Sequence, residues 1–283
     1  MRQILRQAVL AAVLVAAAFP AAADGVLDRL KATGKINIGV RADAPPLSYT
    51  GEDGKPAGYS ILVCNAVAAA LGKAVGHDPL EITYVTVGTE DRFDAVRDGK
   101  VDLLCGADTI TLTRREEVDF SIPTFVDGAA VLIRKGGAAN LDALAGKRIG
   151  VRDGTTTEEV LHATLNAKKM QADVVTFDSH PNGIKALEDG KIDAYFGDQS
   201  ILYSLLLKSD KANELSISDN TLTVEVQGLA LPRGDDDFRL AVDRAISELF
   251  RNEQMGQFFN QALPGATAGI ALRALFLISP QME

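Results

Sequence analysis

Apolar residues along this chain fall into two recurrent patterns. Short runs such as Lys-Ile-Asn-Ile-Gly-Val at Lys35–Val40, Ala-Ala-Val-Leu-Ile-Arg at Ala129–Arg134 and the segments 81–87, 101–105, 148–151, 174–177 and 192–196 predict strands. Between them lie stretches with apolar positions at helical spacing, over 25–33, 61–71, 91–97, 154–165, 178–187 and 199–207. A helix over 234–250 follows the acidic cap Gly-Asp-Asp-Asp, with Leu240, Val242, Ala245, Ile246, Leu249 and Phe250 read as its core face. A further helix is expected at 252–263, and 272–278 is read as a final apolar segment packing back. Strand and helix alternate twice, once before Phe125-Val126-Asp127-Gly128 and once after it, and the run 222–231 then leads back. The predicted architecture is α/β with two lobes and two crossings between them. Residues 24–125 and 228–283 are assigned to the first lobe and 126–227 to the second.

Residues 1–23 stand apart. Arg2 and Arg6 precede an apolar run over 8–19, and Ala21-Ala22-Ala23 supplies small residues before Asp24, the pattern of a cleaved secretory leader. The apolar run is short for a membrane span. The chain is expected in the periplasm. Its net charge of −9 becomes two units more negative without Arg2 and Arg6, and no basic cluster exists to replace counterions on nucleic acid. The three histidines, His77, His162 and His180, have no ligand-like spacing, so no metal and no cofactor is expected. The two cysteines, Cys64 and Cys105, fall in one lobe, where either a disulfide or two buried thiols fits the sequence.

The candidate chemistry gathers at the ends of predicted strands, where open α/β sheets bind ligands. The stretch 102–125 carries Thr109, Thr111 and Thr113, then Arg114, with Thr113 and Glu116 spaced as a capping box. Hydroxyls, N–H groups at a helix start and a guanidinium together suit a carboxylate. Arg41 follows the first strand. Arg92 follows the second, in the first turn of a helix that Thr89 can cap, where a cation opposes the helix dipole and calls for an anionic partner. Three arginines converging on one cleft would suit a ligand with two carboxylates. In the second half, Thr155 opens another hydroxyl-rich helix start, His180 stands at the next, and Asp198 closes the strand after that.

Thr109-x-Thr111-x-x-Arg114 followed by Val118-Asp119-Phe120-Ser121-x-Pro123 resembles the signature of bacterial extracellular solute-binding protein family 3, the polar amino-acid receptors of ABC importers. The order of segments is similar from about residue 36 to the C-terminus. The resemblance implies a type II, Venus-flytrap periplasmic-binding-protein fold. It also implies α-carboxylate binding by Thr109 and Arg114, and ammonium binding by Asp198. The arginine triple and His180 resemble the aspartate/glutamate-binding branch, in which Arg41 and Arg92 would face the side-chain carboxylate. Ser60 and Leu62 stand where the family usually carries acids, a departure read as remote from the cleft.

The expected protein is a monomeric binding subunit that closes on an amino acid and presents it to an inner-membrane permease. Lobe 1 would offer Arg41, Thr89, Arg92, Thr109 and Arg114, and lobe 2 Thr155, His180 and Asp198. No enzymatic activity is expected. The rival of another class is a periplasmic cyclohexadienyl dehydratase on the same fold, acting on arogenate or prephenate. A sensory subunit is a further alternative.

Overall fold

The computed structural model describes residues 25–137, 141–218 and 222–281, so the expected leader lies outside the described residues. Two five-stranded sheets form the frame. In the first, the strands lie in the order Glu81–Thr86, Lys35–Val40, Leu103–Cys105, Ala230–Leu231, Asp119–Phe120. The first three are parallel, and Ala230 then pairs antiparallel with Leu104 on one side and Phe120 on the other. The second sheet repeats the plan. Asp173–Phe177, Arg148–Arg152 and Ala194–Asp198 are parallel, followed by antiparallel Ala129–Arg134 and Leu215–Ile217. Each sheet has a separate apolar cluster on either face, which divides the molecule into two lobes with their own cores.

The chain passes between the sheets along two short strands, Phe125–Asp127 and Glu225–Gln227, which pair antiparallel as a ribbon. Their register sets Asp127 opposite Glu225, Val126 opposite Val226 and Phe125 opposite Gln227. This ribbon is the hinge. A small three-stranded sheet, Asp43–Ala44, Ser48–Thr50 and Pro56–Ala57, projects beyond the first strand of lobe 1 and carries Asp43 toward lobe 2.

Helix Tyr59–Val75 is the main cover of lobe 1 and runs longer than the apolar stretch that predicted it. It starts at Gly58, where a Cβ would stand 2.4 Å from the Leu47 carbonyl oxygen, so only glycine fits. Helix Asp236–Arg251 begins where Asp235 accepts from the Phe238 N–H at 3.0 Å, as the acidic cap predicts. Its buried stripe holds Phe238, Val242, Ala245, Ile246 and Leu249. Leu240, expected in that core, is instead 48% exposed, because two residues before Val242 turns it about 200° to the outer side. The last helix, Ile270–Ile278, packs back through Leu272 and Leu275, while Leu277 and Ile278 remain exposed.

Cys64 and Cys105 form a disulfide across 41 positions of sequence. It ties the long helix to the end of strand Leu103–Cys105, immediately before the loop that holds Asp108 and Thr109. Ser60 pins the same loop, donating to the Gly106 carbonyl at 2.7 Å. The residue read as remote from the cleft thus supports the cleft's main loop from behind. Closing a loop of this size removes about 4 kcal/mol of chain entropy from the unfolded state. The double variant Cys64→Ala/Cys105→Ala should lose stability of that order in urea titrations, and an unchanged midpoint would contradict a stabilising role.

Candidate functional site

Both sheets end their parallel strands at the same gap, and the eight residues selected from sequence come together there. Arg41 follows Lys35–Val40, and Arg92 opens helix Arg92–Arg97 after Glu81–Thr86. Arg114 opens the 3-10 turn Arg114–Glu116. From lobe 2, Thr155 caps helix Thr156–Ala167, His180 opens helix His180–Glu188, and Asp198 ends strand Ala194–Asp198. Arg41, Arg92, Arg114, Thr155, His180 and Asp198 line one cavity of about 20 Å³. Thr109 and Thr89 are buried beside it, with Thr109 Oγ1 3.3 Å from Thr156 Oγ1 and Thr89 packed against Gly154. That volume holds about one water molecule, so the two lobes meet with little free space between them. A groove of about 660 Å³ behind the hinge contains none of the eight.

Two local expectations fail. Thr89 does not cap its helix: Asp91 stands at the cap position, without a side-chain cap bond, and takes the Gly88 N–H at 2.7 Å. The Thr89 hydroxyl is left buried without a partner. Thr113 forms no capping box, because the turn is 3-10, and Thr111 Oγ1 instead accepts the Arg114 N–H at 3.1 Å.

The arginines differ in how far they are engaged. Arg92 Nε meets Asp108 Oδ1 at 2.8 Å, Nη1 donates to the Thr89 carbonyl, and Nη2 reaches the Gly154 carbonyl of lobe 2 at 3.3 Å. Asp108 is the anionic partner that its place in the first helical turn calls for. Burial lowers the Arg92 pKa to about 10, with Asp108 opposing, so it stays charged at neutral pH. Arg41 Nη2 contacts Asp43 Oδ1 at 2.6 Å, while its Nε is buried with no acceptor. The other Asp43 oxygen receives Arg152 Nε of lobe 2 at 3.0 Å, and Arg152 also pairs with Asp153. Burial opposes ionisation of Asp43, yet Arg41 and Arg152 together hold its carboxyl below the usual range. Arg114 is half-buried, makes no ion pair among the described residues, donates to the Thr109 carbonyl at 2.9 Å and lies over the Phe93 ring.

His180 is neutral. Burial drives its pKa down to about 3, Arg41 and Arg152 adding to the effect against Asp43, and Nδ1 lies 3.1 Å from the Tyr195 hydroxyl. The imidazole therefore contributes a hydrogen bond to the site rather than a charge. Thr155 spends its hydroxyl on the helix end, accepting from Glu158 N at 3.2 Å and donating to the Arg152 carbonyl at 2.7 Å.

The hinge end has the opposite polarity. Asp198 accepts from Thr157 Oγ1 at 3.2 Å and from Gln227 Nε2 at 2.9 Å, and makes no side-chain cap bond to its helix. Glu225 accepts from Thr109, Thr156 and Thr223. Asp127 accepts from Gly128 N, Ser200 N and Ser200 Oγ. Asp198 and Glu225 are buried, Asp127 is half-buried beside them, and none makes an ion pair among the described residues. Burial pushes Asp127 up to about 6 and Asp198 well above the usual carboxylate range, each raised further by its acidic neighbours.

The sequence reading missed Asp43, Asp108, Arg152, Thr156 and Glu225. Two signals were available. An acid stands two residues after Arg41 and another directly before Thr109, and Glu225 and Gln227 share one face of an otherwise apolar crossing strand.

Two sheet-built lobes, a double-crossover hinge and a cleft with arginines on one wall and acids at its base define a type II periplasmic-binding-protein fold. The profile of bacterial extracellular solute-binding proteins, family 3, matches residues 36–264, and the chain belongs to that family. The L-glutamate/L-aspartate-binding protein of Pseudomonas aeruginosa is 31% identical over 262 residues, spanning 91% of this chain and 86% of that one. The glutamate/aspartate import solute-binding protein of Salmonella typhimurium is 27% identical over 93% of this chain and 87% of its own. Among solved structures, the ancestral amino acid-binding protein AncCDT-1, a precursor of cyclohexadienyl dehydratase, matches with a TM-score of 0.73. It covers 84% of this chain and 99% of its own at 23% identity, a likeness of fold alone.

The buried acids carry a pH signature. Asp127 binds its proton more tightly folded, near 6, than unfolded, where the reference is 3.8. Its contribution to stability is therefore present below the unfolded value and lost as pH rises through about 6. Urea titrations from pH 4 to 7.5 should show wild type losing stability relative to Asp127→Asn across this window. Parallel curves would contradict the assignment.

Proposed function

We propose that this chain is the periplasmic binding subunit of an ABC importer for an acidic amino acid, glutamate or aspartate. It would act as a monomer, close its lobes on the ligand and present the closed form to an inner-membrane permease. The observation that carries this reading is the polarity of the cleft. Among the described residues, one wall holds Arg114 without a counterion and Arg41 with an Nε that has no acceptor, and the hinge end holds three acidic side chains without a cation. A free amino acid has the matching layout, its ammonium toward Asp198 and its α-carboxylate toward Arg114. A second carboxylate suits the Arg41 side, where the neutral His180 adds a hydrogen bond and Thr89 an unused hydroxyl. The two named relatives, both called glutamate/aspartate proteins, support the same ligand class.

In this assignment Arg92, with Nε, Nη1 and Nη2 each engaged, braces the closed form more than it grips the ligand. Ligand bound between the lobes favours closure because neither lobe alone meets both of its charges.

The test is a thermal-shift screen of the mature protein, unfolded and refolded to strip bound ligand, with the common amino acids, prephenate and arogenate. A ligand at a hundredfold excess over Kd stabilises by about 2.7 kcal/mol. Glutamate and aspartate should raise the melting temperature, and Arg114→Gln should weaken both by about 10- to 100-fold, the value of a charged hydrogen bond. A shift with prephenate or arogenate alone would replace the reading with that of a dehydratase, and a shift only with neutral or basic amino acids would end the acidic assignment.

A further inference from the structure

We propose that Asp43 is a specificity-determining residue acting through Arg41: by occupying that arginine it leaves the side-chain end of the cleft balanced in charge, so that the site takes the amides glutamine and asparagine alongside glutamate and aspartate. This deepens the acidic amino-acid reading and rests on it.

An unpaired guanidinium buried in a cleft demands an anion. Arg41 is buried, but it already has one. Asp43 Oδ1 lies 2.6 Å from Arg41 Nη2, and Asp43 Oδ2 receives Arg152 Nε of lobe 2 at 3.0 Å. Arg152 in turn pairs with Asp153. Two arginines and two acids therefore balance at this end of the cleft. Asp108 balances Arg92 in the same way. Of the three arginines that line the cavity, Arg114 alone makes no ion pair among the described residues. One uncompensated arginine calls for one carboxylate, and every free amino acid brings one.

What Arg41 keeps is a direction rather than an unmet charge. Its Nε is buried with no acceptor, a single N–H that takes a single oxygen. A guanidinium grips a carboxylate best with two parallel bonds from one edge. Nε shares its edge with the Nη2 that Asp43 holds. A ligand carboxylate at Nε is thus bound through one oxygen and stands beside the like charge of Asp43, which works against it. An amide carbonyl makes the same single bond without that repulsion. Its N–H groups need an acceptor, and the neutral imidazole of His180, lining the same cavity, can supply one. Asp43 itself is placed by the small sheet, where it pairs with Tyr49 two residues after Arg41.

Calorimetry on stripped protein with glutamate, glutamine, aspartate and asparagine tests this. Wild type should bind glutamine within about tenfold of glutamate. Asp43→Asn keeps the size and removes the charge, which restores the demand of Arg41 for an anion. The ratio of the glutamine Kd to the glutamate Kd should then rise by about tenfold or more. A role confined to bridging the lobes through Arg152 would weaken both ligands alike and leave that ratio unchanged, and this outcome would overturn the proposal. Wild type that binds the acids and excludes both amides would overturn it as well, and that result stands even if Asp43→Asn fails to fold. Wild type that binds neither acid would end the acidic reading, while the variant still decides the role of Asp43. Glutamate binding gained in Asp43→Asn would support it, and no gain would overturn it.

Discussion

The hinge is built on an unfavourable pairing. Asp127 and Glu225 face each other across the two-stranded ribbon, with Asp198 close by; Glu225 and Asp198 are buried and Asp127 is half-buried. Like charges directly opposite in a ladder repel, and burial raises the cost of each. Hydroxyls and backbone N–H groups solvate the three acids, but hydrogen bonds do not remove net charge. Burial and mutual repulsion answer part of this with protons, which is why Asp127 and Asp198 hold theirs more tightly than exposed acids. A cation delivered from the cleft answers it better. The rest of the site follows from that constraint, because a ligand that brings the cation must find its own anionic groups satisfied on the arginine wall.

Closure is bridged at three levels by groups from both lobes. Asp43 joins Arg41 to Arg152, Arg92 reaches the Gly154 carbonyl, and Glu225 gathers Thr109 and Thr156. Each bridge also fixes what the cleft offers. Asp43 leaves the Arg41 Nε without an acceptor, Asp108 occupies Arg92, and Glu225 engages the Thr109 and Thr156 hydroxyls. Gly154, in the left-handed region and packed against Thr89, lets the backbones of the two lobes approach this closely. The contacts that hold the lobes together are thus made by the same side chains that line or border the cleft.

Much of this frame was legible in the chain. The repeated strand–helix order, the return through 222–231 and the arginines at strand ends follow from apolar periodicity, and the cleft gathers those side chains. The counterions were not legible because they are made by closure. Asp43 and Arg152 are 109 residues apart, and Thr109 and Glu225 are 116 apart. The shared face of Glu225 and Gln227 marks a polar side of the crossing strand, but not its partners Thr109 and Thr156, since those contacts depend on two lobes meeting around it. The caps failed for a different reason. At Thr89 and Thr113 the residue type fitted a cap, but the first turn formed at Asp91 in one case and as a 3-10 turn in the other.

The most direct measurement is the structure of the stripped and reloaded protein with glutamate in the cleft. The account predicts the ammonium nitrogen within about 3 Å of Asp198, with the α-carboxylate on Arg114 and the side-chain carboxylate toward Arg41. A glutamate bound in the reverse sense, with either carboxylate against the hinge acids, would contradict it.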